Sequence, residues 1–376
     1  MYKKVGLLSF ISSCNYGTLL QDYALVRKIK DLGCAAEYID YHATVESSGV
    51  RKFLGDIKRK LVRKFGQKNK KGIDDFSFWH NKSFKSIETL CQSFIDEYIP
   101  ISIKYDPRNI DTCSNVYERF IVGSDQTWSP HIIKENSPFL LGFVNDDKKK
   151  FAYAPSMGTL NIPTDFQLLL KEKLASFQIL SCREHHNCKT LSKILGKEVF
   201  HVLDPTLLLT KEEWLSIATP VCKMPKKYIL CYILGEKKCI SDFADKLGWN
   251  VNVPVYYIYT RPFYSDKQNL LTNVGPREFL TLVAGCSCLV TDSFHGSIFS
   301  INFEVPFFTF TKREAGFNSQ DNDRIKEILG EFKLLSRYCD DDAIADEILP
   351  IDYSEISPYL YKMRKESINI LISELK

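Results

Sequence analysis

Residues 288–310 read CLVTDSFHGSIFSINFEVPFFTF, and the order of residue types in this stretch decides the fold class. An apolar run from Cys288 to Thr291 ends in the polar turn Asp292-Ser293-Phe294-His295-Gly296. An apolar-periodic segment follows, and then a second apolar run over 306–310. Strand, polar turn, helix and strand in that order are the unit of a parallel α/β sheet. Ligands of such sheets bind beyond the carboxyl ends of the strands, where the next helix offers unpaired N–H groups to an anion. Ser-x-His-Gly on such a turn reads as a phosphate or carboxylate site. The same residues also read as a helix N-cap by Asp292 or Ser293 beside a satisfied histidine.

The N-terminus repeats the pattern. Residues 5–10 are a buried-strand run, 11–17 (ISSCNYG) a polar turn and 18–32 a helix, closed by Gly33 before a second strand over 36–40. Gly-x-Gly-x-x-Gly and the Walker pattern are absent from that turn, which leaves dinucleotide and P-loop assignments without support. Further strands over 119–122, 139–144, 150–153, 177–181 and 199–203 each end in polar residues. These include Gly123-Ser124-Asp125-Gln126-Thr127-Trp128 and Cys182-Arg183-Glu184, the latter followed by a helix over 185–195. Residues 74–98 read as helix running into a loop near Pro100. A connection over 211–225 leads to a second series: strand 228–234, helix 238–247, strand 253–257 and helix 276–284. The opening stretch comes next, then helices over 324–329 and 354–375.

Length agrees with this division. A chain of 376 residues suits two domains of roughly 150–200 residues each. The expected boundaries are 1–210 for an N-terminal Rossmann-like domain, 211–350 for a C-terminal one, and 351–376 for a helix packing back across both. A net charge of +4 is mild and does not point to a nucleic-acid partner. No run of about 18 apolar residues is present, and MYKKVGLLSF passes straight into strand-like sequence, so a cytoplasmic protein is expected. Twelve cysteines are scattered without a Cys-x-x-Cys pair and read as reduced thiols, with neither disulfide nor metal site. The charge asymmetry is local: residues 51–71 hold ten basic residues against the single acid Asp56, with Phe53, Leu54, Ile57, Leu61, Val62 and Phe65 at helical spacing. This reads either as a solvated insertion or as a basic amphipathic helix resting on an anionic membrane or a charged glycan.

Four ordered motifs carry a resemblance. They are Asn15-Tyr16-Gly17-Thr18-Leu19-Leu20-Gln21 with Tyr23-Ala24-Leu25; Gly123-Ser124-Asp125-Gln126-x-Trp128; Ser181-x-Arg183-Glu184 with Asp204-Pro205-Thr206-Leu207-Leu208; and Thr291-Asp292-Ser293-Phe294-His295-Gly296. Together they resemble the polysaccharide pyruvyl transferase family over roughly residues 5–330. The resemblance implies a GT-B-like pair of Rossmann-type domains with the active site in the cleft between them. It implies transfer of the enolpyruvyl group of phosphoenolpyruvate to a hexose such as galactose, as a cyclic ketal on a capsular polysaccharide, exopolysaccharide or wall glycan, with no metal or organic cofactor. The acceptor's lipid linkage is left open.

The resemblance makes His295 the phosphate ligand and general acid, Arg183 the donor clamp, and Asp125 the base or orienter of the acceptor hydroxyl. Asn15, Gly17, Gln21, Gly123, Ser124, Gln126, Trp128, Ser293, Phe294 and Gly296 are its expected substrate contacts. Many relatives carry Arg-Leu-His where this chain has Ser293-Phe294-His295, so one donor cation is absent, with Lys312 or Arg313 the expected substitute. Plainer readings stand beside these: an Asx-turn at Asp125, a surface pair of Arg183 with Glu184, and turn-shaping by Asn15 and Gly17. Gln21 reads also as an outer-face residue, Asp204-Pro205-Thr206 as a structural turn, and Trp128 as core rather than a sugar platform. A nucleotide-sugar glycosyltransferase and a non-catalytic glycan-binding relative are the competing functions.

Overall fold

The computed structural model describes residues 4–11, 14–42, 73–235, 238–258, 267–311 and 323–376, with backbone alone over 73–84. The basic stretch 51–71, Lys312 and Arg313 lie outside the described residues. Two parallel sheets form. The first joins β1 (Lys4–Leu8), β2 (Ala35–Tyr41), β3 (Ile101–Tyr105), β4 (Arg119–Val122), β5 (Lys150–Ala152), β6 (Ile179–Cys182) and β7 (Phe200–His201) in the order 3-2-1-4-5-6-7. The second joins β8 (Ile229–Tyr232), β9 (Val255–Ile258), β10 (Leu270–Leu271), β11 (Cys288–Thr291), β12 (Phe307–Phe310) and β13 (Tyr338–Cys339) in the order 10-9-8-11-12-13. Both orders reverse direction beside their first strand, which is the doubly wound arrangement. Strands β8, β11 and β12 are buried at every position, as parallel strands covered on both faces must be.

Helix α1 (Tyr16–Asp31) follows β1, and Asn15 caps it by accepting the Gly17 N–H at 3.0 Å. Gly33 ends the turn after it at φ +84°, as expected of a helix-closing glycine. Most of the first three turns of α1 are buried because the helix lies between the two sheets. Tyr16 donates its hydroxyl to the Val274 carbonyl at 2.6 Å and stacks on Tyr232, while Tyr23 packs on Trp214. One apolar cluster thus runs continuously from the first sheet into the second. Helix α2 (Ile73–Tyr98) leads into β3, whose exposed edge gives little apolar alternation and was not legible as a strand.

Two expectations fail. Residues 139–144 are no strand: Pro138 starts a 3₁₀ turn and Leu141 takes φ +49°, which cannot continue an extended run. Cys182 and Cys188 are disulfide-paired rather than reduced. The cause is local topology, since β6 turns directly into α3-following helix α4 (α3 Thr164–Leu174, α4 His185–Leu195), leaving the two Cα atoms 5.8 Å apart. Short helix α5 (Lys211–Leu215) opens the link between the sheets with a Thr210–Glu213 capping box. Among the described residues no helix is long and apolar enough to cross a membrane.

Candidate active site

The loops leaving β1, β4, β5, β6 and β7 meet the start of the helix after β11. Asp125 follows β4 in a left-handed conformation, φ +74°. Its carboxylate accepts the Gln126 N–H at 2.8 Å, a local side-chain bond of the kind that lets aspartate tolerate such a φ. The other oxygen accepts the Thr18 hydroxyl of α1 at 2.9 Å, and its carbonyl takes the Ser156 N–H from the loop after β5. Backbone and side chain therefore hold Asp125 from three sides.

Beneath it lies a buried ion network. Arg183, 4% exposed, donates Nη1 to Asp204 Oδ2 at 2.7 Å and Nε to Glu184 Oε1 at 3.3 Å. Asp204 also accepts from Ser124 Oγ at 3.3 Å and, through Oδ1, from the Thr206 N–H and hydroxyl. Ser156 Oγ donates to Glu184 at 2.5 Å. Arg183 Nη2 is buried with no hydrogen-bond partner. An unpaired guanidinium nitrogen at this depth is costly unless a ligand completes it.

The second sheet supplies His295. Helix α8 (Phe294–Phe303) follows β11, and Ser293, not Asp292, caps it by accepting the Gly296 N–H at 3.2 Å. His295 is 6% exposed, with Nε2 3.8 Å from Asp204 Oδ2. Gly17 of α1 packs against the imidazole so closely that a Cβ there would lie 2.1 Å from Nδ1. Phe294 receives the Arg183 guanidinium 4.3 Å from its ring centre.

Burial lowers the His295 pKa to about 4, with Arg183 and Arg324 adding to the shift and Asp204 and Asp125 only partly opposing it. The imidazole is therefore neutral at pH 7, and Asp204 is held by Arg183 rather than by an imidazolium. Burial pushes the Asp125 carboxyl up, yet the positive charges that face it, His295 when its ring is protonated and the Arg183 and Arg324 guanidiniums, outweigh it and hold it below the usual carboxylate range. Asp204 behaves alike: burial raises it, Arg183 leads the opposing effects, and the net shift is downward.

The polysaccharide pyruvyl transferase model matches residues 15–311, more than half of the chain. This chain belongs to the polysaccharide pyruvyl transferase family. No curated protein sequence matches it. Among solved structures it is similar to UDP-GlcNAc 2-epimerase from Methanocaldococcus jannaschii, with TM-score 0.51 and 10% identity over 98% of this chain and 93% of that one. UDP-GlcNAc 2-epimerase from Neisseria meningitidis gives TM-score 0.47 and 11% identity, covering 100% of this chain and 99% of that one. The glycosyltransferase SnogD from Streptomyces nogalater gives 0.43 and 11%, with both chains covered completely. The likeness to the first concerns the fold, two parallel α/β units of GT-B type.

Of the residues singled out through the family's motifs, the fold brings Asp125, Arg183, Ser124, Gln126, Gly17, Phe294 and His295 together. It does not bring all of them. Trp128 is completely buried and donates its indole N–H to the Phe139 carbonyl at 3.0 Å, so it is core and no sugar platform. Gly296 gives its N–H to Ser293 and fits only because a Cβ would strike Thr291 Oγ1 at 2.7 Å, which makes it a packing residue. Ser293 is spent as the cap. Gln21 is buried, not on an outer face, and neither of its amide atoms has a partner. Gly123 donates to the Leu8 carbonyl and shapes the β1–β4 junction, and Asn15 serves as cap. Arg183 does pair with Glu184, but in the interior, not on the surface. Asp204 is the residue that the motif reading undervalued: its turn is real, and the same carboxylate anchors Arg183. Thr18 and Glu184 stand inside the motifs but had been given no site role, and Ser156, in the loop after β5, lay outside them.

Proposed function

We propose that this chain transfers the enolpyruvyl group of phosphoenolpyruvate to two hydroxyls of a hexose, forming a cyclic pyruvate ketal on a surface polysaccharide or its precursor. The observation that carries the reading is the meeting of a neutral buried histidine, a carboxylate held below its usual range and an Arg183 nitrogen left without a partner. Such a site suits a small donor that carries two anionic groups.

In this mechanism Arg183 Nη2 binds the donor. The incoming phosphate raises the pKa of His295, which then takes up a proton. His295 delivers that proton to the methylene carbon while the first sugar hydroxyl, oriented by Asp125, adds to C2. The C2–O bond to phosphate breaks, and the second hydroxyl closes the ketal. Of the two hydroxyl protons, one balances the methyl group formed and the other leaves on hydrogen phosphate.

A nucleotide-sugar donor would place its phosphates at the β8–β11 crevice. There Asp292 accepts the Leu234 N–H at 2.7 Å and the Gly235 N–H at 2.8 Å, so a carboxylate already occupies those donors. This disfavours the glycosyltransferase reading.

The test incubates the protein with phosphoenolpyruvate and galactosides, free and lipid-linked, following inorganic phosphate and the ketal by mass. Turnover with any acceptor supports the reading. No turnover together with no thermal stabilisation by phosphoenolpyruvate sinks it. Contact of residues 51–71 with an anionic membrane is a separate proposal; a deletion that floats with anionic liposomes as well as the parent ends it.

A further inference from the structure

Arg183 alone does not balance a phosphate. Its charge is already met by Asp204 and Glu184, and Asp125 adds a third carboxylate to the same cluster. A donor that carries both a phosphate and a carboxylate needs more positive charge in this cluster than Arg183 and one protonated imidazole provide. Ser293, beside His295, brings no charge of its own, and its side chain is committed to the α8 cap.

Helices α6 (Lys238–Val251) and α7 (Pro276–Gly285) precede α8 in the second unit, and helix α9 (Asp323–Glu331), beyond the segment that the family model matches, supplies a cation from elsewhere. Positions 324, 327 and 331 share one face of a helix. In this chain all three face groups of the first unit or the site. Glu327 Oε1 accepts the His186 N–H in the first turn of α4 at 2.7 Å. Glu331 Oε2 stands 3.7 Å from His201 Nε2, and its Oε1 accepts the Tyr359 hydroxyl at 3.0 Å. Two acids thus fix α9 across the junction.

That docking sets Arg324 at the mouth of the cluster. Its guanidinium lies 5.4 Å from the centre of the Phe294 ring, the same ring that Arg183 contacts. With the Gln126 amide turned so that its oxygen faces the arginine, Oε1 accepts from Nη1 at 3.1 Å and Nη2 at 3.2 Å. Gln126 directly follows Asp125, so the fork sits one residue from the carboxylate that orients the acceptor. Its charge also reaches Asp125 and His295, where it helps to lower both.

We infer that Arg324 is the second cation of the donor site, binding the phosphate or carboxylate of phosphoenolpyruvate beside Arg183. The inference rests on the pyruvyl-transfer reading above. Gln126 then acts as the positioning residue that holds the fork when the donor is absent.

The experiment measures KM for phosphoenolpyruvate and kcat in the parent, Arg324→Gln, Arg324→Lys and Arg324→Gln/Ser293→Arg chains. A charge-assisted contact is worth about 1.5–3 kcal/mol, so Arg324→Gln should raise KM about ten- to a hundredfold with a smaller effect on kcat. Arg324→Lys should recover part of this. Adding Ser293→Arg should recover more, where the chain still folds. Thermal stabilisation by phosphoenolpyruvate alone gives a second readout, present in the parent and lost in Arg324→Gln. A parent that turns over phosphoenolpyruvate beside an Arg324→Gln chain with unchanged KM overturns the inference alone. A parent that neither binds nor turns over phosphoenolpyruvate overturns the donor assignment and the inference with it.

Discussion

The two sheets have the same strand order and put their switch points to opposite uses. In the first sheet the crevice between β1 and β4 stays chemically charged: Asp125, Arg183 and Asp204 gather there, and His295 is brought against them. In the second, two N–H groups at the crevice between β8 and β11 are already taken, because Asp292 accepts from Leu234 and Gly235. A doubly wound topology supplies a ligand crevice at each switch point. Side chains decide whether it remains one. Here the second unit spends two of its crevice donors on Asp292 and places a histidine and an arginine against the cluster of the first.

His295→Asn breaks the contribution of the second sheet most directly. Removing a proton carrier costs about 10²–10⁴-fold in rate, and kcat should fall by that order while the fold persists. The same variant has a signature in stability. The folded-state pKa of His295 lies below its unfolded value, so its contribution is present above about pH 6.5 and is lost as pH falls toward about 4. The parent should lose up to about 1.4 kcal/mol per pH unit from this group across that window. His295→Asn should lack that slope, and denaturant melts at pH 4.5 and pH 7 measure it. An equal slope in both chains would mean that the imidazole titrates as an exposed one.

The contrast between the two crevices also explains what was legible in the sequence. Both β-turn-α-β openings could be read because an apolar run changing to helical spacing leaves a periodic trace, as in 5–32 and 288–310. His295, Arg183 and Asp125 stood out for the same reason, each lying just after a strand. The losses have physical causes. Residues 139–144 are apolar because they pack under the sheet as a turn, and composition does not separate that from a strand. Asp204 looked like a turn former, and it is one, but one carboxylate oxygen serves the turn and the other serves Arg183. Arg324 has no local signature at all, since its place depends on how Glu327 and Glu331 dock a helix from the second unit onto the first.

Asp292→Asn attacks the second crevice. The amide offers one acceptor oxygen where two N–H groups, one of them buried, need acceptors, and the loss should cost about 1–3 kcal/mol in unfolding free energy. Turnover measured well below the melting temperature should stay close to that of the parent. The reverse result, an unchanged melting temperature with loss of donor binding, would make the second crevice a ligand site and erase the contrast.

The smallest expected effect separates a buried acid that is used from one that is not. Asp204 is buried and paired, whereas Glu374, on helix α10 (Ile356–Leu375), is fully buried and neither carboxyl oxygen has a hydrogen-bond partner. The helix itself bridges the units: Ser367 Oγ accepts the Leu203 N–H at the end of β7, and Arg364 reaches the Leu207 carbonyl and Asn302 of α8. Burial raises the Glu374 pKa well above its ordinary value, so the folded chain keeps a proton that the unfolded chain releases. Stability from this group is therefore complete below its unfolded pKa and drains away as pH rises toward the folded one. Glu374→Gln cannot titrate. It should match the parent near pH 4.5 and exceed it at pH 8 by about 1 kcal/mol or more, with the gap widening steadily between. A gap that stays flat from pH 4.5 to pH 8 would mean that Glu374 ionises like an exposed acid, and the distinction from Asp204 would then lie in pairing alone and not in charge.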